Sequence, residues 1–257
     1  MRNPLLCCWA PVLAECCVSV AHAENLYLFS LATGVAPRYE GSRDYRPVVG
    51  PVLAAQFGNG FFISSADGAG YRKQFSNGLF VSAALGYAMG RTDENRFNGP
   101  GSDYLKGMGN IPGSLLVSVQ AGVRLFGSST FSVTLDQPVT HTTRDISGHV
   151  DLTMPIVHAG NDNISVTGTL HAGSGRYTQT FFGVTAAQAA RSRFQPYSAK
   201  GGFDQTTMSV AWTHMFSPRW SLNTTVGMER LIGSSRDSPI VQKQANWFGL
   251  TSITYRY

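Results

Sequence analysis

From residue 78 onward the chain repeats one pattern, in which apolar and small polar residues alternate with a period of two over runs of ten to thirteen residues. In "GLFVSAALGYAMG" (78–90), Leu79, Val81, Ala83, Leu85, Tyr87 and Met89 share one face, opposite Phe80, Ser82, Ala84, Gly86 and Ala88. In "SLLVSVQAGVRLF" (114–126), Leu115, Val117, Val119, Ala121, Val123 and Leu125 oppose Ser118, Gln120, Gly122 and Arg124. "RWSLNTTVGMERLIG" (219–233) sets Trp220, Leu222, Val226, Met228 and Ile232 against Ser221, Asn223, Thr225, Gly227 and Glu229. Segments 146–158 and 204–216 follow suit, with Ile146, Val150, Leu152, Met154 and Ile156 aligned in the first and Met208, Val210, Trp212 and Phe216 in the second. Alternation at about 180° per residue is the signature of a strand with two unlike faces.

Length separates two all-β folds. Strands of soluble sandwiches commonly run about five or six residues, whereas about 9–11 tilted residues cross a bilayer. The runs here match the second. One face carries Leu, Val, Ala and aromatics and the other Ser, Thr, Gly, Asn and Gln, which is the lipid-out, lumen-in alternation of a transmembrane barrel. Charged residues are 14% of the chain, against about 25% in soluble domains. No stretch after the first 23 residues reaches the roughly 18–20 continuous apolar residues of a membrane helix. The connections alternate as well. Short ones (75–78, 127–129, 159–161, 217–219) separate long ones (91–113, 173–203, 234–243) and a modest one near 141–145. Together these features predict an all-β, closed antiparallel transmembrane β-barrel with short periplasmic turns and long extracellular loops.

The strand count rests on the first third. Residues 25–34 and 47–57 read as strands, and 61–75 reads as a hairpin about Asp67-Gly68, a tight-turn pair. That gives twelve strands; one long strand over 61–75, with ten in all, is the alternative. The last strand, "NWFGLTSITYRY", ends on an aromatic and closes on the first. Trp247, Tyr255 and Tyr257 are the candidate outer-membrane assembly signal, with Tyr257 where Phe is usual.

All four cysteines (Cys7, Cys8, Cys16, Cys17) lie in "MRNPLLCCWAPVLAECCVSVAHA". Its Arg2, apolar run and Ala21-His22-Ala23 predict a secretory signal peptide over 1–23, cleaved after Ala23, with one barrel domain over 24–257. The processed chain then has no cysteine for disulfides or thiolate metal sites. A net charge of +5 with scattered Lys and Arg gives no clustered footprint for nucleic acid.

A search for catalytic patterns leaves little. "HAGSG" (171–175) has Ala172 in place of the first Gly of a nucleophile elbow, and "GMGNIP" ends on Pro112 where a dinucleotide fingerprint needs Gly. His141, His149, His158, His171 and His214 show no metal-ligand spacing. "TAAQAARS" (185–192) suggests a short helix inside a compact exterior loop, with a plug as the alternative. Arg124 and Glu229 are the candidate lumen charges.

The chain resembles MipA/OmpV outer-membrane proteins over nearly the whole processed length. The resemblance rests on "PRYEGSRDYRP" (37–47), Gly90-Arg91, "LKGMGNI" (105–111), "FFGVTAAQAARSRFQPYSAKGG" (181–202) and "RDSPIV" (236–241), in that order. It implies a non-enzymatic barrel in the cell outer membrane, without cofactor, in contact with outer-membrane lipid and lipopolysaccharide. It further implies a scaffold role, with a murein lytic transglycosylase and a peptidoglycan synthase as partners. A pore for small solutes is the other function that the resemblance and the barrel allow.

Overall fold

A computed structural model describes residues 25–257; the signal segment and its cleavage residues Ala21 and Ala23 lie outside the described residues. Twelve strands form one closed antiparallel barrel, each paired with its sequence neighbours and β1 with β12. They are β1 (Leu26–Pro37), β2 (Tyr45–Gln56), β3 (Phe61–Ser64), β4 (Gly68–Gln74), β5 (Leu79–Ala88) and β6 (Ser114–Arg124), then β7 (Thr130–Pro138), β8 (Ser147–Ala159), β9 (Asp162–Gly173), β10 (Gly202–Ser217), β11 (Trp220–Leu231) and β12 (Ala245–Arg256). The hairpin about Asp67-Gly68 forms, so twelve is the count. Its arms are short, four residues in β3 and seven in β4.

Closure joins the first strand to the last. Leu28 pairs with Arg256 and Val35 with Gly249, and the Tyr257 N–H donates to the Tyr27 carbonyl at 3.0 Å. Gly34 is required at this junction, because a Cβ there would stand 2.1 Å from the Gly249 carbonyl oxygen. Tyr255 packs on Trp220 (5.0 Å between centroids) and Tyr257 lies 6.3 Å from Tyr27, both at the short-turn rim. Trp247 stands at the opposite end of β12, facing outward.

The side chains divide as the alternation demands. Leu31, Leu53, Leu85, Val119, Leu135, Met208, Val226 and Ile253 project outward and are exposed, whereas Ser30, Ser132, Thr134, Thr167, Ser209, Thr225 and Thr254 point inward and are buried. Inside, hydroxyls and amides bond across strands: Ser30 with Thr254 (2.8 Å), Thr153 with Thr167 (3.0 Å), and the Asn223 amide with Thr254 (2.9 Å). In water such a molecule would be inside out. In hydrocarbon the oily face needs no cover, and the ladders between neighbouring strands serve the backbone amides.

Two local departures from the regular pattern follow from bulges. The β8–β9 register slips between Pro155 and Val157, since Pro155 cannot donate to the ladder, so Ile156 and Val157 are both exposed there. The β9–β10 register slips between Phe203 and Gln205 and turns Asp204 into the lumen. Expected outcome: Val119→Arg, mid-strand on the lipid face with its side chain 52% exposed, lowers folding stability by about 2–4 kcal/mol. Guanidinium titration in phospholipid bilayers measures it, and no loss would contradict the outward orientation.

Candidate functional site

The buried apolar clusters among the described residues lie in the extracellular loops and, through Leu231, at the loop end of β11. Loops 38–44, 89–113, 174–201 and 232–244 converge over the mouth. Tyr39, Leu105, Met108, Val184, Phe194 and Ile240 form one cluster, with Ile240 at 0% exposure. Phe182, Ala199 and Leu231 form a second. Hydrogen bonds tie the loops to each other: Tyr39 Oη donates to the Ile240 carbonyl (2.7 Å), Gln188 Nε2 to Met108 (2.8 Å), Arg191 Nε to Gly107 (2.8 Å) and Tyr197 Oη to Ser234 (2.6 Å). Burial pushes the Tyr39 phenol well above its ordinary pKa. Gly107, at φ 91°, sits where a Cβ would stand 2.1 Å from the Arg191 carbonyl oxygen. These loops make a packed cap.

Loop 174–201 holds two helices. The sequence suggested one over 185–192; the structure limits it to α2 (Ala186–Ala189), closed by a capping box between Thr185 and Gln188. It adds α1 (Gly175–Phe182), capped by Ser174. Ser174 Oγ in turn donates to Asp145 at 2.7 Å, and that hydroxyl, with the Ile146 N–H, holds the Asp145 carboxyl below its usual pKa.

Charge gathers beneath the cap. Arg91, 6% exposed, donates to the Phe181 carbonyl at 2.6 Å and lies 5.9 Å from the Tyr39 ring. Desolvation lowers its pKa to about 10, against the pull of Glu40, so it stays protonated at neutral pH. Arg144 donates to the Ala88 carbonyl at 3.0 Å and stacks 5.0 Å over Phe181. Removal from water pushes the Glu40 carboxyl up, while nearby His171 pulls it down. On the strands below, His171 Nδ1 meets Asp204 Oδ1 at 2.5 Å, and Glu229 Oε2 accepts from Gln205 Nε2 at 3.1 Å. Further round, His149 stands 3.3 Å from Asp151 and 3.9 Å from Asp136.

This wall is acidic, and its arrangement bears on catalysis. The hydroxyls of Thr169 and Ser118 donate to Asp151 and Asp136, so they serve carboxylates rather than imidazoles. A hydroxyl nucleophile needs the reverse, with its proton held by the imidazole. Among the described residues no group of three or more His, Cys, Asp or Glu side chains could hold a metal ion. Across the lumen, Arg72 bonds Gln120 Oε1 at 3.2 Å and lies between the Phe62 and Phe80 rings.

The two lumen charges singled out from sequence are not brought together. Glu229 lies on the inner wall near the cap, whereas Arg124 ends β6 at the periplasmic rim, with its side chain exposed. Sequence analysis missed Glu40, Arg91, Arg144, His171 and Asp204 as a group. The first three sit in loops without periodicity, and Asp204 turns inward through a bulge. A signal was present nonetheless, because the quoted segments build the cap: Tyr39 and Glu40 from "PRYEG", Leu105 and Met108 from "LKGMGNI", Ser238 and Ile240 from "RDSPIV".

A closed barrel with an apolar exterior, a polar lumen and long loops at one end is an outer-membrane β-barrel protein. Residues 29–257 match the family model described as MltA-interacting protein MipA, and the chain belongs to that family. No curated protein matches it. Among solved structures it is similar to the NanC porin (6% identity, 89% of this chain and 97% of that one, TM-score 0.40). It is also similar to the COG4313 outer membrane channel from Pseudomonas putida F1 (8%, 93% and 97%, TM-score 0.45) and to a loop-deletion mutant of OmpT from Vibrio cholerae (7%, 92% and 99%, TM-score 0.39).

The depressed Asp145 pKa fixes a pH window. A carboxylate whose folded value is lowered contributes stability above its unfolded value, about 3.9, and loses it as pH falls through the folded value. Amide exchange at Tyr177 and Thr178, in the first turn of α1, taken relative to the intrinsic exchange rate at each pH, is therefore expected to be flat down to about pH 4 and to rise below it. The Asp145→Asn variant is expected to remove that rise.

Proposed function

We propose that this protein is a non-enzymatic outer-membrane anchor that docks peptidoglycan-processing enzymes, a murein lytic transglycosylase and a peptidoglycan synthase, at its periplasmic rim. The packed cap carries the reading. Four loops share a buried apolar cluster over the mouth, and side chains bonded across strands project into the lumen beneath, which favours an anchor over a standing conduit. The family description, MltA-interacting protein, supports the choice of partner. The rim is suited to contact, although its turns are short. It displays Phe126, 97% exposed, and Tyr257, together with exposed Arg124, Arg219 and Arg256. Aromatic and arginine side chains dominate the energetics of protein interfaces.

Pull-down from envelope extracts with the refolded barrel tests the reading. Retention of a lytic transglycosylase is expected, and Phe126→Ala combined with Arg219→Glu is expected to weaken it at least about tenfold, a loss of about 1.4 kcal/mol. No retention by the native barrel would overturn it.

A second reading, a gated pore, is favoured by the carboxylates of Asp136, Asp151, Asp204 and Glu229 on the lumen wall. One oxygen of Asp204 (Oδ2) is buried without a hydrogen-bond partner among the described residues. A lumen of this sign favours cations. In planar bilayers the native protein is expected to stay closed, while deletion of 184–197 is expected to give cation-selective steps. Steady conductance of the native protein would favour the pore over the anchor.

A further inference from the structure

The barrel wall is thin at one place. β2 runs from Tyr45 to Gln56, but β3 pairs with it only over Ala54–Gln56, and β4 pairs with β5 only as far as Leu85. Above the tip of the β3–β4 hairpin, the upper part of β2 and Gly86–Ala88 of β5 are therefore not joined by intervening strands. Lower down, three interstrand steps separate β2 from β5, roughly 14 Å. The seam lies within the apolar belt, since Val49 and Leu53 on one side and Leu85 and Tyr87 on the other point outward.

A free strand edge in hydrocarbon must be disarmed, and β2 is. Leu53 exchanges both backbone bonds with Ser65 at the hairpin tip: its N–H donates to Ser65 Oγ (3.1 Å) and its carbonyl accepts from the Ser65 N–H (2.8 Å). Val49 does the same with one side chain, Asn98. Its N–H donates to Asn98 Oδ1 (3.1 Å) and its carbonyl accepts from Asn98 Nδ2 (2.7 Å). By the two-residue period Pro47 and Pro51 fall on this same edge, where proline has no N–H to leave unpaired.

Asn98 belongs to a strap, residues 94–101, that crosses the seam. Arg38 and Arg46 donate to the carbonyls of Arg96 (3.3 Å) and Asn98 (3.5 Å). On the other side Gly99 lies against Met89, just past β5; a Cβ on Gly99 would stand 3.9 Å from Met89 Cε. Phe97, 72% exposed, projects from the strap. Asn95 and Asp103 brace the strap with three hydrogen bonds of their own.

We propose that the β2–β5 seam is a lateral gate between the lumen and the outer leaflet, latched by Asn98, and that it admits the acyl chain of an anionic membrane amphiphile. The occupant follows from what borders the seam. It opens on hydrocarbon, the inner wall beside it carries Ala36, Val48, Val52 and Ala88, and the half-buried Arg38, with Arg46 buried on the lumen side, stands at its outer end to meet a negative headgroup. The lumen-wall acids Asp136, Asp151, Asp204 and Glu229 lie on β7–β11, away from it. Of the acids beside it, Asp67 is bonded to Ser64, Asp93 to the Gly107 and Gly109 amides and Asp103 to Asn95, which leaves Asp44 and Glu94 outnumbered by Arg38, Arg43, Arg46 and Arg96. Releasing Asn98 strands the backbone of a single residue, Val49, because prolines flank it. Two states that differ by so few hydrogen bonds can both be populated.

Photo-crosslinking with a phosphatidylglycerol bearing a diazirine in its acyl chain tests the gate, with the refolded protein in vesicles and sites mapped by mass spectrometry. Three proteins are compared: native, Asn98→Ala, and Val49→Cys/Asn98→Cys joined by a short thiol crosslinker, in a chain whose residues 24–257 have no other cysteine. Labelling of inward residues such as Val48 and Val52 is expected to rise about tenfold in Asn98→Ala, the gain from losing two hydrogen bonds. It is expected to fall below the native level in the crosslinked protein, with outward residues such as Leu53 equal in all three. Equal inward labelling in all three proteins would overturn the gate. If Asn98→Ala does not fold, the native and crosslinked proteins decide it alone, since a gate requires the crosslink to reduce inward labelling. The docking reading can fail without touching this result.

Discussion

Hydrocarbon offers a peptide no hydrogen bonds, and from that lack the rest of this architecture follows. Each N–H and C=O in the belt must find a partner within the protein, which forces the twelve strands to close and β12 to return to β1. It explains Gly34, where the junction leaves no room for a Cβ. The same demand is met by other means where a strand runs short. Above the β3–β4 tip, proline, serine and asparagine take over from a missing neighbour.

A second consequence concerns where apolar burial can contribute. Leu31, Met208 and Ile253 on the barrel exterior are covered by lipid, so they do not build a core with one another. The lumen is held by hydroxyl, amide and carboxylate contacts. Loops that emerge into water regain the ordinary hydrophobic effect, and here they use it, with Leu105, Phe182 and Ile240 nearly or wholly buried. The cap is thus a small soluble-type core mounted on a membrane wall. It also removes Glu40, Arg91 and Arg144 from water. The two arginines are tolerable there because backbone carbonyls accept from them and aromatic rings lie against them.

How far the sequence could be read divides along the same line. Strands leave a period of two that survives any uncertainty about partners, so the segments from β5 onward and the Asp67-Gly68 hairpin were legible. Bulges break that parity with one residue and little warning, which hid Asp204 behind Phe203. The loops have no period at all. Tyr39, Leu105, Met108 and Ile240 lie within segments that marked the family resemblance, but nothing in their spacing shows that they touch. Their contacts span up to 201 residues of chain, as between Tyr39 and Ile240. Helix α1 was missed for a related reason. "GRYTQTFF" is short, has only Arg176 and Gln179 as strong helix formers, and is held by Ser174 and by packing rather than by propensity.

The distribution of strength indicates which parts of such a molecule can move. Pulling apart two full strands, such as β8 and β9, would expose a dozen residues' backbone to lipid at once, so the wall behaves as one cooperative unit. The cap is softer, since water can solvate what its opening exposes. The seam is softer still in its own direction, because Pro47 and Pro51 have already given up the donors that a separating strand would strand. A barrel built under the rule of complete pairing changes state most readily where that rule is satisfied by side chains, for a rotamer can turn while a ladder cannot. Asn98 is such a side chain, and it sits between the cap that closes the mouth and the lipid that surrounds the wall.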